Sequence, residues 1–343
     1  MTDHKHLKRR VRERMARTGE SYTTALRHVA GRARRHHHES ALLRDVLGGG
    51  LSEAMLLGLG GGIGFMYFVF EYAGHPPMLT VVAQAHPEPM IPLALARAGV
   101  PHELRRTGSA KAAERNLRAA LDAGHRPICR ISRHLLPWRE TMPFPDPVDV
   151  AVTGLDGDTV RVRDDGPGEL PLAAFMAAWS ALPKTKHLLV EVTGPATGQP
   201  DVRAAITDTA AKLTGPVLGN NFDVNFGLSG MRKLAAQLAD TTGKQGWTRR
   251  FADPGPALDR LAECLEVDYT APGATRPLYA DFLLEAEHAG CGEAAGLYRE
   301  CGRQWSRVAA AAAAREPLAE VAALVAEAVL LEERGAEALA KIY

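Results

Sequence analysis

Residues 36–70 read HHHESALLRDVLGGGLSEAMLLGLGGGIGFMYFVF, and the reading of this stretch decides the fold. A histidine run opens it. In 40–47 the apolar residues Leu42, Leu43, Val46 and Leu47 recur at helical spacing with Arg44 and Asp45 facing out, so a short amphipathic helix is predicted. Gly48, Gly49 and Gly50 stop it. Ser52 suits the N-cap of a second helix, and Glu53 falls in its first turn, where the helix dipole favours an acid. Gly58, Gly60, Gly61, Gly62 and Gly64 follow, then the apolar run 65–70. No register of this cluster gives G-x-G-x-x-G, a helix rather than a strand precedes it, and no G-K-[ST] occurs, so a phosphate-binding loop is set aside. The glycines are predicted instead to permit positive φ and close backbone approach, turning a helix into a buried strand.

The 343 residues suffice for two domains, and their total charge of +1 conceals an asymmetry. Residues 1–35 hold eleven Lys/Arg against three acids, a net +8, which leaves −7 on the other 308. A basic arm on an acidic body steers acidic partners. Within the arm Leu7, Val11 and Met15 share a helix face, Thr18-Gly19 breaks it and Ser21 caps a second helix. The arm reads as a solvated or docking helix pair, and nucleic acid is not the favoured partner. Cys129, Cys264, Cys291 and Cys301 show no C-x-x-C spacing and no secretory leader is evident, so no disulfide or metal framework is expected and a cytoplasmic location fits. The apolar run 54–70, broken by five glycines, is too short for a membrane span. No cofactor is implied.

Residues 77–165 alternate short strands and helices: LTVVA, MIPLALARAG, HELRRT, a Ser109-capped AKAAERNLRAALDAG, PICRIS, and a hairpin VDVAVTG/TVRVRDD around an acidic glycine-containing turn. Helices first and an antiparallel hairpin last argue for an α+β class over a doubly wound sheet. From 167 onward the chain is nearly all helical, ending in a long Ala/Glu/Leu-rich segment. The expected division is a basic helical arm at 1–35, a mixed domain at 36–166 and a mostly helical domain at 167–343.

The order H-x-E-S-A-L-L-R, LSEAMLLGLGGGIGF and LPW resembles the N-terminal domain of the butirosin-biosynthesis BtrH family. GLSGMRKLA, TRRF and RPLYADFLLEA resemble the helical domain of unknown function that often follows it, so the resemblance covers roughly residues 36–343. It implies a papain-like N-terminal domain and a place in natural-product biosynthesis. The family's namesake is an acyltransferase, moving an aminoacyl group from an acyl carrier protein to an aminoglycoside amine. Papain-like chemistry needs a thiolate at a helix N-terminus, a histidine base on a neighbouring strand and an acid or amide orienting that base. The family's H-C-x-S is here His37-His38-Glu39-Ser40, which puts His38 at the nucleophile position. Val148-Asp149 occupies the base position, Asp164 or Asp165 keeps the acid after the hairpin, and Ser132 stands where an aspartate is expected.

By this resemblance the catalytic candidates are His38, His37 and Asp164, and the substrate-binding candidates are Ser40, Gly61, Gly62 and Trp138. The residues themselves also allow plainer roles. Cys129 on a buried strand reads as a small hydrophobe, Ser40 as a cap or packing residue. His36–His38 and Glu39, consecutive on a helix, point in different directions and would not share one metal ion. Two functions therefore stay open. One is acyl or aminoacyl transfer from a carrier-protein thioester to an amine with altered catalytic residues. The other is a catalytically inactive papain-like binding or scaffold protein. The implied partners are an acyl carrier protein engaging the basic arm and a small-molecule amine; a homo-oligomer stays open too.

Overall fold

The computed structural model describes residues 36–71, 74–84, 86–139 and 146–343; the helix pair read in 1–35 lies outside them. Helix α1 (His38–Leu47) ends at Gly48, whose φ of 71° continues the left-handed turn that closes it. Helix α2 (Glu53–Leu59) is capped by Ser52, whose Oγ accepts the Met55 N–H at 2.9 Å. Gly61 and Gly62, at φ 108° and 63°, then turn the chain into β1 (Ile63–Phe70). Close approach explains the other glycines. A Cβ on Gly58 would stand 2.2 Å from the ring of Phe282, and one on Gly62 2.5 Å from that of Tyr279. The cluster thus seats α2 directly against a helix more than two hundred residues downstream.

Strand β1 pairs antiparallel with β2 (Met78–Gln84) as a separate two-stranded ribbon, Phe70 opposite Met78. After α3 (Met90–Arg97) come β3 (His102–Arg105), α4 (Ala110–Asp122), β4 (Ile128–Ser132), β5 (Pro147–Asp156), β6 (Thr159–Arg163), β7 (Pro167–Pro171), α5 (Leu172–Ser180) and β8 (Leu189–Val192). These six strands form one antiparallel sheet in the order β3-β8-β4-β5-β6-β7. Because β7 and β8 come after residue 166, the sheet draws strands from both sides of that position. The remainder is helical: α6 (Val202–Thr214), α7 (Gly227–Ala239), α8 (Trp247–Arg250), α9 (Gly255–Glu266), α10 (Arg276–Glu285), α11 (Cys291–Ala314) and α12 (Leu318–Ala340). The class is mixed, with strands concentrated early and helices late. Among the described residues no helix is long and apolar enough to cross a membrane.

Two main cores, with a small third cluster of Met66, Val82 and Phe226, hold the described parts. The larger runs from Leu42 and Leu43 through the ribbon into the late helices, reaching Trp305 and Leu339. The smaller lies on the other face of the sheet, where Val150 and Val152 meet Leu117, Phe175 and Trp179. Inside the larger core sits a fully buried ion pair. Arg276 Nε lies 2.6 Å from Glu332 Oε1, which also accepts the Trp305 indole N–H at 2.7 Å. The rest of the guanidinium donates to the carbonyls of Ala83 (2.7 Å), Ala274 (2.8 Å) and Gly64 (3.0 Å). One side chain therefore ties both ribbon strands to α12. Removing one member leaves the other charged and dry, which costs about 3–5 kcal/mol. Arg276→Met is expected to destabilise by that order in denaturant unfolding, and Arg276→Met with Glu332→Leu by clearly less; equal losses would contradict this role.

Candidate functional site

The start of α1 carries a polar cluster at the junction of ribbon and sheet. His37 is its N-cap: Nδ1 accepts the Ser40 N–H at 3.3 Å and lies 3.1 Å from Ser40 Oγ. With Nδ1 an acceptor, the ring proton is on Nε2, which donates to Gln84 Oε1 at the end of β2. The ring is only 1% exposed, and burial lowers its pKa below the ordinary histidine value although Glu39 pulls the other way. Glu53 does more than favour the dipole of α2. It reaches back to accept the His37 backbone N–H at 2.7 Å and lies 2.9 Å from His36 Nδ1, fixing where α1 begins. Gln84 turns its amide N–H to Glu39 at 2.7 Å. Burial opposes ionisation of Glu39, but Arg130, His38 and the Gln84 amide N–H favour it, and the balance lies below the ordinary carboxylate value.

His38, the first residue of α1, faces the opposite way, toward the sheet. Its Nδ1 is 3.0 Å from Asp165 Oδ1 and its Nε2 is 2.8 Å from the Asp149 carbonyl oxygen, with Asp164 Oδ1 at 3.6 Å. Both ring nitrogens face acceptors, so both partners are satisfied only when both nitrogens carry a proton. The two adjacent rings thus meet different partners, His37 one donor and one acceptor, His38 two acceptors. Asp164 also accepts the Trp138 indole N–H at 2.9 Å and two bonds from Arg139, one of them at 2.7 Å. Arg139 Nη1 lies 2.9 Å from Asp165 as well. Burial would raise the pKa of Asp164, but His38 and Arg139 bring it below its ordinary value.

The base position resolves by strand alternation. Val148 joins Val150 and Val152 in the smaller core, whereas Asp149 lies on the face of α1. Asp149 Oδ2 is 3.6 Å from Arg130, its cross-strand neighbour, and burial pushes its pKa up despite that cation. The face of β5 toward residue 38 therefore carries a carboxylate, Asp149.

The predicted site residues fall out as follows. His38 and Asp164 come together, with Trp138 bracing Asp164, while His37 is turned away toward Gln84. Ser40 is fully buried and its hydroxyl donates to the His37 carbonyl at 3.3 Å. Gly61 and Gly62 are buried too, Gly62 against the Tyr279 ring and Gly61 with its carbonyl accepting from Thr209 Oγ1 at 3.0 Å, so Ser40, Gly61 and Gly62 present no open surface. Ser132 is buried with Oγ 2.6 Å from His134 Nδ1. All four cysteines are buried. Burial pushes their thiols up, Cys264 to about 11 and Cys129 well above its ordinary value, so none is poised as a thiolate. Candidate ligand atoms of His38, Asp164 and Asp165 lie within 4.8 Å of one another. Arg139 is paired with both carboxylates, so a cation here would compete with that guanidinium.

Sequence reading missed Gln84, Arg130, Arg139 and His86. Arg130 had a usable signal, a lone charge inside the apolar strand PICRIS. His86 stacks on Phe226 with ring centroids 6.3 Å apart, and burial, then Arg130, pushes its pKa down to about 4.

Fold and site together define a mixed α+β protein whose central polar site lies at a helix start beside an antiparallel sheet. Residues 37–165 match the family model for butirosin biosynthesis protein H, N-terminal, and residues 171–339 match a domain of unknown function, DUF4872. The chain thus carries a BtrH-type N-terminal domain followed by the DUF4872 domain. No curated protein matches it.

The lowered pKa of His37 has a direct consequence for stability. Unfolding restores an ordinary ring of pKa about 6.5, so the unfolded chain binds the extra proton first. The contribution of His37 is present above that pH and lost as pH falls below it. Between pH 7.5 and 5.5 this group taken by itself lowers the unfolding free energy, by up to about 1.4 kcal/mol per pH unit, and the slope is read as the difference between wild type and a His37 variant. His37→Gln should flatten that slope; an unchanged slope would contradict the neutral assignment.

Proposed function

We propose that this chain is a papain-like member of its family that acts in natural-product metabolism by binding, without a covalent acyl-enzyme step. One observation carries the reading: the residue at the nucleophile position, His38, is engaged at both ring nitrogens by Asp165 and the Asp149 carbonyl. An imidazolium has no lone pair with which to attack a thioester or take a proton. The thiol that such chemistry requires is absent from the helix start, and the position facing it holds Asp149. The ligand is a carrier protein bearing an aminoacyl thioester, or the amine that would accept the group.

Wild-type protein incubated with aminoacyl carrier thioesters and amine acceptors is expected to give neither turnover nor an acylated chain in intact-mass spectra. His38→Cys with Asp149→His restores a thiol and a base on facing elements, and this double variant is expected to trap an acyl group on residue 38. Wild-type turnover abolished by His38→Ala would overturn the binding reading in favour of altered acyl transfer.

The charge asymmetry supports the carrier partner, since eleven basic residues precede a body of net −7. Deleting residues 1–35 is expected to weaken carrier binding and flatten its dependence on salt between about 0.05 and 0.5 M; unchanged affinity would remove the arm from recognition.

A further inference from the structure

At the far end of β5 from Asp149 lies a cavity of about 400 Å³ lined by Arg118, Arg126, Arg161 and His125, with Asp122 the one carboxylate in its wall. On a body of net −7, three guanidiniums around one cavity stand out. Each is placed by a different element. Arg118 comes from α4, where its pair with Glu114 at 2.9 Å is exposed and so easily exchanged. Arg126 donates to the carbonyls of Asp45 (3.0 Å) and Val46 (2.9 Å) at the end of α1, and among the described residues no carboxylate lies within ion-pair distance of it. Arg161 comes from β6, where its 3.6 Å pair with Asp156 is exposed, and folds over a bulge in β5 where the register shifts between Val152 and Gly154. A Cβ on Gly154 would stand 2.6 Å from Arg161 Nη2, so the bare glycine gives the guanidinium its seat. The ring of His125 is held at 2.6 Å by the buried Glu191.

We propose that this cavity binds a phosphate group. A guanidinium offers parallel N–H pairs that match phosphate oxygens, and three of them converge on a charge near −2 better than on a single carboxylate. The volume lies in the lower range of small-molecule pockets, enough for a phosphorylated metabolite or the phosphate end of a longer group. The site stands apart from His38: α1 runs between them, its first residue at the polar cluster and its last turn held by Arg126.

Isothermal titration of the full chain with inorganic pyrophosphate, inorganic phosphate and methyl phosphate tests this, with acetate as the carboxylate comparison. Saturable one-to-one binding of the phosphates and none of acetate is expected. Arg126→Gln and Arg161→Gln should each weaken it at least tenfold. Gly154→Ala, which keeps every charge but displaces Arg161, should weaken it several-fold. Arg232→Gln, on a remote exposed pair with Glu333, should leave it unchanged. Methyl phosphate binding more tightly than inorganic phosphate would assign an ester as the ligand, the reverse order a free phosphate. Absence of saturable binding, equal binding of acetate, or full binding by the Arg126→Gln/Arg161→Gln protein with its basic arm intact would overturn the site.

Discussion

The buried guanidinium of Arg276 is the constraint on which the rest of the structure depends. It holds the carbonyls of Gly64 and Ala83 on the two ribbon strands and closes its charge on Glu332 of α12. Ala83 is followed by Gln84, and Gln84 is the residue that grips both His37 and Glu39. A chain of polar contacts thus runs from the centre of the helical part to the first turn of α1. A dry ion pair contributes little net stability against an apolar replacement of the same shape, but half of it is intolerable. Its value here is positional, since it sets the ribbon's register against the helices and so sets where the site forms.

At that site burial and partner choice work against each other in neighbouring residues. His37 meets a donor on one side and an acceptor on the other and stays neutral. His38 meets two acceptors and is satisfied only as a cation. Around them Glu39, Asp149, Asp164 and Asp165 interleave with Arg130 and Arg139, so each buried carboxylate has a positive neighbour. A thiolate at position 38 would place another negative charge among four carboxylates. The imidazolium instead completes the pairing, which gives a physical reason for a histidine at this position.

Much of the local structure was legible in the sequence because it is written locally. The caps Ser52 and Ser109, the glycine stop of α1 and the β5–β6 hairpin all follow from neighbouring residues. The glycine cluster was legible in kind, as a turn and a close approach, though its partners Phe282 and Tyr279 were not. What stayed hidden depends on contacts distant in sequence. PGELP of β7 has no strand periodicity and pairs only because β6 presents an edge to it. β8 slots between β3 and β4, an order that no local pattern encodes. Glu53 read as a first-turn acid, and its reach to His37 appears only once α1 and α2 are packed. The choice between Val148 and Asp149 likewise needed the strand's facing, since adjacent residues point to opposite sides.

The central claim is that residue 38 is an ionic lock and not a nucleophile. Nitrogen-15 NMR of the imidazole rings in the full-length protein at neutral pH tests it most directly, with His38→Gln used to assign the signals. The expected spectrum shows both His38 nitrogens protonated, beside a His37 ring protonated at Nε2 alone. A neutral His38 ring with one bare nitrogen would contradict the lock and return that residue to the list of catalytic groups.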